Sequence, residues 1–159
     1  MKSTVLRMRP QFVLGLAVRG KELGACIVCC ETGTEVAACT LDSRRALVAW
    51  MSEEFVKYRS LCIVTDASTC PCHGHDQPRQ HMFVVNDRPR FVSDVYSVVM
   101  REASAANHLP LREAVAFAAG IVQAYDDKRE PAEDTRTEAK RVAMLTVRCM
   151  QFIRLGTQE

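Results

Sequence analysis

The chain has 159 residues, 48% of them apolar and 25% charged, with a net charge of +2. These values fit a single globular domain that buries about two-thirds of its unfolded surface, and they exclude wholesale disorder. So small a positive excess permits nucleic-acid binding without arguing for it. No apolar run is long enough to cross a membrane as a helix. The opening residues are interrupted by Arg7, Arg9 and Pro10, so no secretory leader is expected. The eight cysteines then read as reduced thiols in an intracellular compartment, cytoplasmic or nuclear.

In chain order, residues 12–18 are nearly all apolar and predict a strand buried on both faces. Turn chemistry at Arg19-Gly20-Lys21-Glu22 precedes a second buried strand over 24–30. Thr32-Gly33-Thr34 predicts a hairpin turn returning into a third strand at 36–41. Asp42 or Ser43 can cap a helix over 43–59, where Leu47, Trp50, Met51, Phe55 and Tyr58 share one face. Residues 61–65 are a short buried strand ending beside Asp66. Cys26, Cys29, Cys30, Cys39 and Cys62 fall in these strands and are read as small buried hydrophobes.

The stretch 66–81 is irregular and dense in Cys, His, Pro and Asp. Residues 82–85 predict another strand, stopped by Asn86-Asp87-Arg88-Pro89, and Ser93 can cap a helix to about residue 107. Pro110 suits the first turn of a third helix to about 125, with a short strand at 111–117 as the alternative. After a charged connection, a last helix is expected over 134–155, with Ala139, Val142, Ala143, Val147, Met150 and Ile153 as its core stripe and Gly156 as its stop.

Three antiparallel strands, a helix and a fourth strand parallel to the first make the opening of the RNase H-like fold. Within this order, Leu14-Gly15-Leu16-Ala17-Val18-Arg19-Gly20 followed by Gly24-Ala25-Cys26-Ile27-Val28 resembles the start of a RuvC-type Holliday-junction resolvase. The resemblance continues through Ile63-Val64-Thr65-Asp66, reaches Asn107-His108-Leu109-Pro110-Leu111, and ends at Asp134-Thr135-Arg136-Thr137-Glu138. It implies a single α/β domain with a mixed five-stranded sheet flanked by helices, and branched or double-stranded DNA as partner.

Resolvase chemistry uses two divalent ions about 3.5–4 Å apart, and Mg²⁺ takes hard oxygen ligands. The resemblance makes Asp66, Asp134 and Glu138 the candidate catalytic carboxylates. The central acid of the first strand, however, falls on Ala17, and a methyl group cannot coordinate a metal. The expectation is therefore a pseudo-nuclease that keeps the fold and acts by binding DNA or a partner protein. Its alternative is an active Mg²⁺-dependent junction endonuclease completed by another acid: Glu22, Asp87 or Asp94. The plainer reading of Asp134 and Glu138 is electrostatic, since acids are favoured in a first helical turn.

Cys70-Pro71-Cys72-His73-Gly74-His75 sets four zinc-type ligands within six residues. Ligands packed so tightly cannot close around one ion, so a zinc site here would need His81, Cys149 or a partner chain. This loop supports a third expectation, a structural or interaction protein with a zinc-stabilised contact surface, including a homodimer. For nucleic acid the candidate contacts are Arg79, Arg88, Arg90, Lys140, Arg141 and Arg148, with Arg136 beside them. Arginine forks suit phosphate; the competing reading is ordinary solvated surface balanced by 19 acidic residues.

Overall fold

Strand β1 (Phe12–Arg19) is the centre of the molecule because it has no polar face to offer water. It pairs antiparallel with β2 (Glu22–Cys29), which pairs antiparallel with β3 (Glu35–Leu41). The computed structural model describes residues 10–58, 61–65, 81–95, 130 and 132–156, with isolated positions between 98 and 124. Gly20 and Gly33 adopt φ of +62° and +70° in the two hairpin turns, a conformation in which a Cβ would be strained.

Helix α1 (Arg44–Lys57) follows, capped by the Ser43 hydroxyl, which accepts from the Ala46 N–H at 3.1 Å. Leu47 and Met51 are its buried contacts; Trp50, Phe55 and Tyr58 are half-buried on the same face. Strand β4 (Leu61–Thr65) then runs parallel to β1. Strands β5 (His81–Val85) and β6 (Arg88–Asp94) form an antiparallel hairpin, and β6 lies parallel to β4. Helix α2 (Thr135–Gly156) closes the described chain. Among the described residues the sheet therefore has six strands in the order β3-β2-β1-β4-β6-β5, mixed in direction.

The expected five strands become six because β6 occupies residues read as a turn and a helix cap. Asn86 and Asp87 both take positive φ, 52° and 62°, the signature of a two-residue type I′ hairpin. Pro89 is tolerated because β6 meets β4 only from Val92 onwards, so the proline lies where β6 has β5 alone as neighbour. Ser93 is thus a strand residue, and helix begins at Val95. The described positions between 113 and 124 are helical, which favours the helix over the alternative strand in that stretch.

Two hydrophobic cores flank the sheet. On the α1 side Leu14, Leu16, Ile27 and Ile63 meet Leu47, Met51 and Phe83. On the other, Val13, Ala17, Cys26, Val28 and Val64 meet Ala139, Val142, Ala143 and Met150 of α2, with Val95 and Val98. Five of the six residues expected as the last helix's core stripe are buried; the sixth, Ile153, lies outside the described side chains.

α2 rides unusually close to the sheet. A Cβ on Gly15 would overlap the Ala139 carbonyl, and one on Gly24 would overlap the Thr135 carbonyl. These are backbone atoms of a packed helix and cannot rotate aside. Gly15→Ala and Gly24→Ala should each destabilise the protein by about 3 kcal/mol or more, at or above the upper end for overpacked cores. Urea unfolding checks this: a midpoint unchanged by either substitution would show that α2 does not sit where described.

Candidate functional site

In open sheets with parallel strands, ligands bind beyond the strands' carboxyl ends. Here β1, β4 and β6 end at the same side, and the N-terminus of α2 arrives there over Gly24. Ala17 occupies the position of interest on β1. It is 1% exposed and belongs to the core beneath α2, opposite Gly24 on β2. The last residue of β4, Thr65, is buried and its hydroxyl donates to the Leu16 carbonyl at 3.2 Å, tying the ends of β4 and β1 together.

Arg19, two residues past Ala17, donates to the carbonyls of Ala132 at 2.7 Å and Glu133 at 3.3 Å. Arg141 donates to the Glu130 carbonyl at 2.7 Å. Two guanidiniums thus hold the segment leading into α2. Neither role is visible in the sequence, because each links residues on elements that only the tertiary fold brings together.

The Asp134 carboxylate accepts from the Thr137 N–H at 2.7 Å, and its own carbonyl accepts from the Glu138 N–H at 3.2 Å, so Asp134 is the N-cap of α2. Those hydrogen bonds from Thr137 hold its carboxyl below the usual range. One turn on, Glu138 is buried, with Arg141 at 3.6 Å. Beside it, the buried Thr135 hydroxyl finds no hydrogen-bond partner among the described residues. Asp66 lies outside the described residues. Of the other acids considered, Glu22 pairs with Arg19 at this end of the sheet and Asp94 pairs with Thr65, whereas Asp87 lies in the β5–β6 turn at the opposite end.

The basic residues divide between two faces. Arg88 is exposed on β6, and Arg90 lies 5.1 Å from the centre of the Phe55 ring, on the α1 side. Arg136, Lys140 and Arg148 are exposed on α2, across the sheet, with Lys140 3.7 Å from Glu35. Arg141 is turned towards Glu138 and the Glu130 carbonyl, and Arg79 is outside the described residues.

Cys70, Cys72, His73 and His75 also lie outside the described residues. Cys149 is fully buried and burial pushes its thiol up to about 11. Cys26, buried and 3.6 Å from the Glu35 carboxylate, is pushed up to about 12, first by desolvation and then by that charge. Cys29 differs: a hydrogen bond from the Thr32 hydroxyl lowers its pKa. Thr32, three residues on and directly before Gly33, was the sequence signal for this. Among the described residues no three His, Cys, Asp or Glu side chains converge, and no helix is long and apolar enough to cross a membrane. Comparison with protein-family models, with curated proteins and with solved structures finds no match to this chain.

The cap carries a pH dependence. Because the folded pKa of Asp134 is depressed, its stabilisation is present above the unfolded value of about 3.9 and is lost as pH falls through the folded value. Asp134→Ala should therefore lower the melting temperature at pH 7, and the gap to wild type should close as pH falls through the folded value. A gap independent of pH would show that the carboxylate's charge plays no part.

Proposed function

We propose that the chain is an RNase H-like protein of the RuvC-type resolvase branch that acts by binding DNA, branched or double-stranded, without a complete two-metal centre. The observation that carries this reading is the strand order β3-β2-β1-β4-β6 with Ala17 sealed beneath α2. The order supports the fold: two antiparallel pairings, a helix, then β4 parallel to β1 and β6 parallel to β4. Ala17 supports the loss of cleavage. The residues of β1 itself at that end offer a methyl group and a guanidinium, neither of which ligates a hard divalent cation. Exposed cations on both sides of the molecule remain for phosphate.

One observation favours a second reading, an active Mg²⁺-dependent nuclease with a relocated acid. Asp94 ends β6 directly beside the last residue of β4, on the side where β1 also ends. The Cys70–His75 loop is proposed separately as a zinc-stabilised contact surface.

One preparation made without chelator tests these readings. Labelled four-way junction and linear duplex should bind, with log K falling linearly in log salt by about 0.9 per phosphate contact. No binding at low salt would remove both DNA readings. Cleavage in Mg²⁺ or Mn²⁺ that Asp94→Asn or Asp66→Asn abolishes would replace the first with the second. Zinc well below stoichiometric in the same sample would end the metal-loop proposal.

A further inference from the structure

Two arginines among the described residues are half-buried, Arg90 and Arg141. Arg141 is answered by the Glu138 carboxylate at 3.6 Å and the Glu130 carbonyl at 2.7 Å. Arg90 is not. Its guanidinium lies 5.1 Å from the centre of the Phe55 ring, and its Nε is buried with no hydrogen-bond partner. Among the described residues no carboxylate comes within ion-pair distance of it. The acid beside Phe55 on α1, Glu54, is turned towards Lys57 at 3.5 Å and towards Cys39 of β3. A ring face holds a cation in place but offers its N–H groups no lone pair. Arg90 is therefore a charge drawn partly out of water without the partner such groups ordinarily have.

Alternation puts Arg88, Arg90 and Val92 on one face of β6. Val92 belongs to the core beneath α1, which assigns that face to the α1 side. Arg88 is exposed, two residues and about 6.5 Å along the strand from Arg90. It too has no ion pair among the described residues. The hairpin that carries both is anchored, because Asn86 in the β5–β6 turn donates to the Ser52 carbonyl at 3.1 Å, one turn of α1 before Phe55. The backbone spacing of the two arginines is thus set by the fold.

We propose that Arg88 and Arg90 form a site for backbone phosphates of DNA on the α1 face, at the end of the sheet away from the carboxyl ends of β1, β4 and β6. This rests on the DNA reading above and adds to it the place of contact. Phe55 fixes the guanidinium plane of Arg90, and its terminal N–H groups donate to a phosphate, whose oxygens take two hydrogen bonds from one fork. Arg88 engages a neighbouring phosphate of the same strand. The counter-charge that Arg90 lacks is supplied by the ligand. The α2 face has less to offer, since Lys140 stands 3.7 Å from Glu35 and Arg141 is engaged. The sheet separates the two faces, so a duplex seated on one does not lie on the other.

Binding of a labelled linear duplex to the full chain, measured over a salt series, tests the assignment. The wild type is compared with Arg88→Ala, Arg90→Gln and the Arg136→Ala/Arg148→Ala double variant, with circular dichroism to verify folding. Arg88→Ala and Arg90→Gln should each reduce the slope of log K against log salt by about 0.9, the value of one phosphate contact. Arg88 is exposed, so its variant decides the matter even where the loss of Arg90 from the Phe55 ring unfolds the chain. An unchanged slope in Arg88→Ala overturns the site while leaving DNA binding, and the reading above, in place. A fall of about 0.9 or more in the Arg136→Ala/Arg148→Ala variant also overturns it, because the duplex would then lie on the α2 face. No binding by the wild type at low salt removes the DNA reading and this site together.

Discussion

The seating of α2 on the β1–β2 ladder is the contact on which the rest depends. Gly15 and Gly24 remove the two side chains that would hold the helix off, and Thr135, Ala139 and Ala143 present small groups from its side. A helix this close has little tolerance for rotation or sliding. Its position is then fixed at the N-terminal end by Arg19 and Arg141 on the carbonyls before it, and by Asp134 capping its first turn. Near the other end Gln151 donates to the Cys30 carbonyl at 3.0 Å, beyond the end of β2.

This seating also determines what the carboxyl end of β1 can do. Because α2 begins over Gly24, the neighbouring Ala17 is covered rather than presented to solvent. A carboxylate at that position would be desolvated against alanine and valine unless a cation accompanied it. The alanine and the guanidinium of Arg19 are thus mutually consistent: the first needs no partner, and the second finds carbonyls instead of acids. The same local rule, that ionised groups near a core must be answered, accounts for Arg141 beside the buried Glu138.

Much of the fold was legible because each central strand must be apolar on both faces, which residues 12–18 and 24–30 display openly. The hairpin turns followed from Gly20 and Gly33, and the α2 core stripe followed from its helical spacing. The strand β6 was not legible. Pro89 argues against a strand, and only the three-dimensional fact that β4 stops short of it makes the proline harmless. Asp134 and Glu138 show the same limit for the site. Their spacing put both on one helix face, yet one carboxylate turns to its own helix and the other is buried beside an arginine. Spacing records which residues share a face, not which atom each side chain chooses. The cations illustrate it again, since Arg88 and Arg90 were grouped with Lys140 and Arg148 although the sheet stands between them.

The two ends of the sheet's chemistry are therefore unequal. Where β1, β4 and β6 finish, the described polar groups are largely engaged by backbone: Thr65 with Leu16, Arg19 with Ala132 and Glu133, Asp134 with Thr137. Such groups rigidify a helix start, and spending them on chemistry would first require undoing the seating of α2. At the β5 edge the opposite holds. The apolar side chains of Met82, Val84 and Phe91 stand exposed there, while the Met82 carbonyl is already taken up by Arg44.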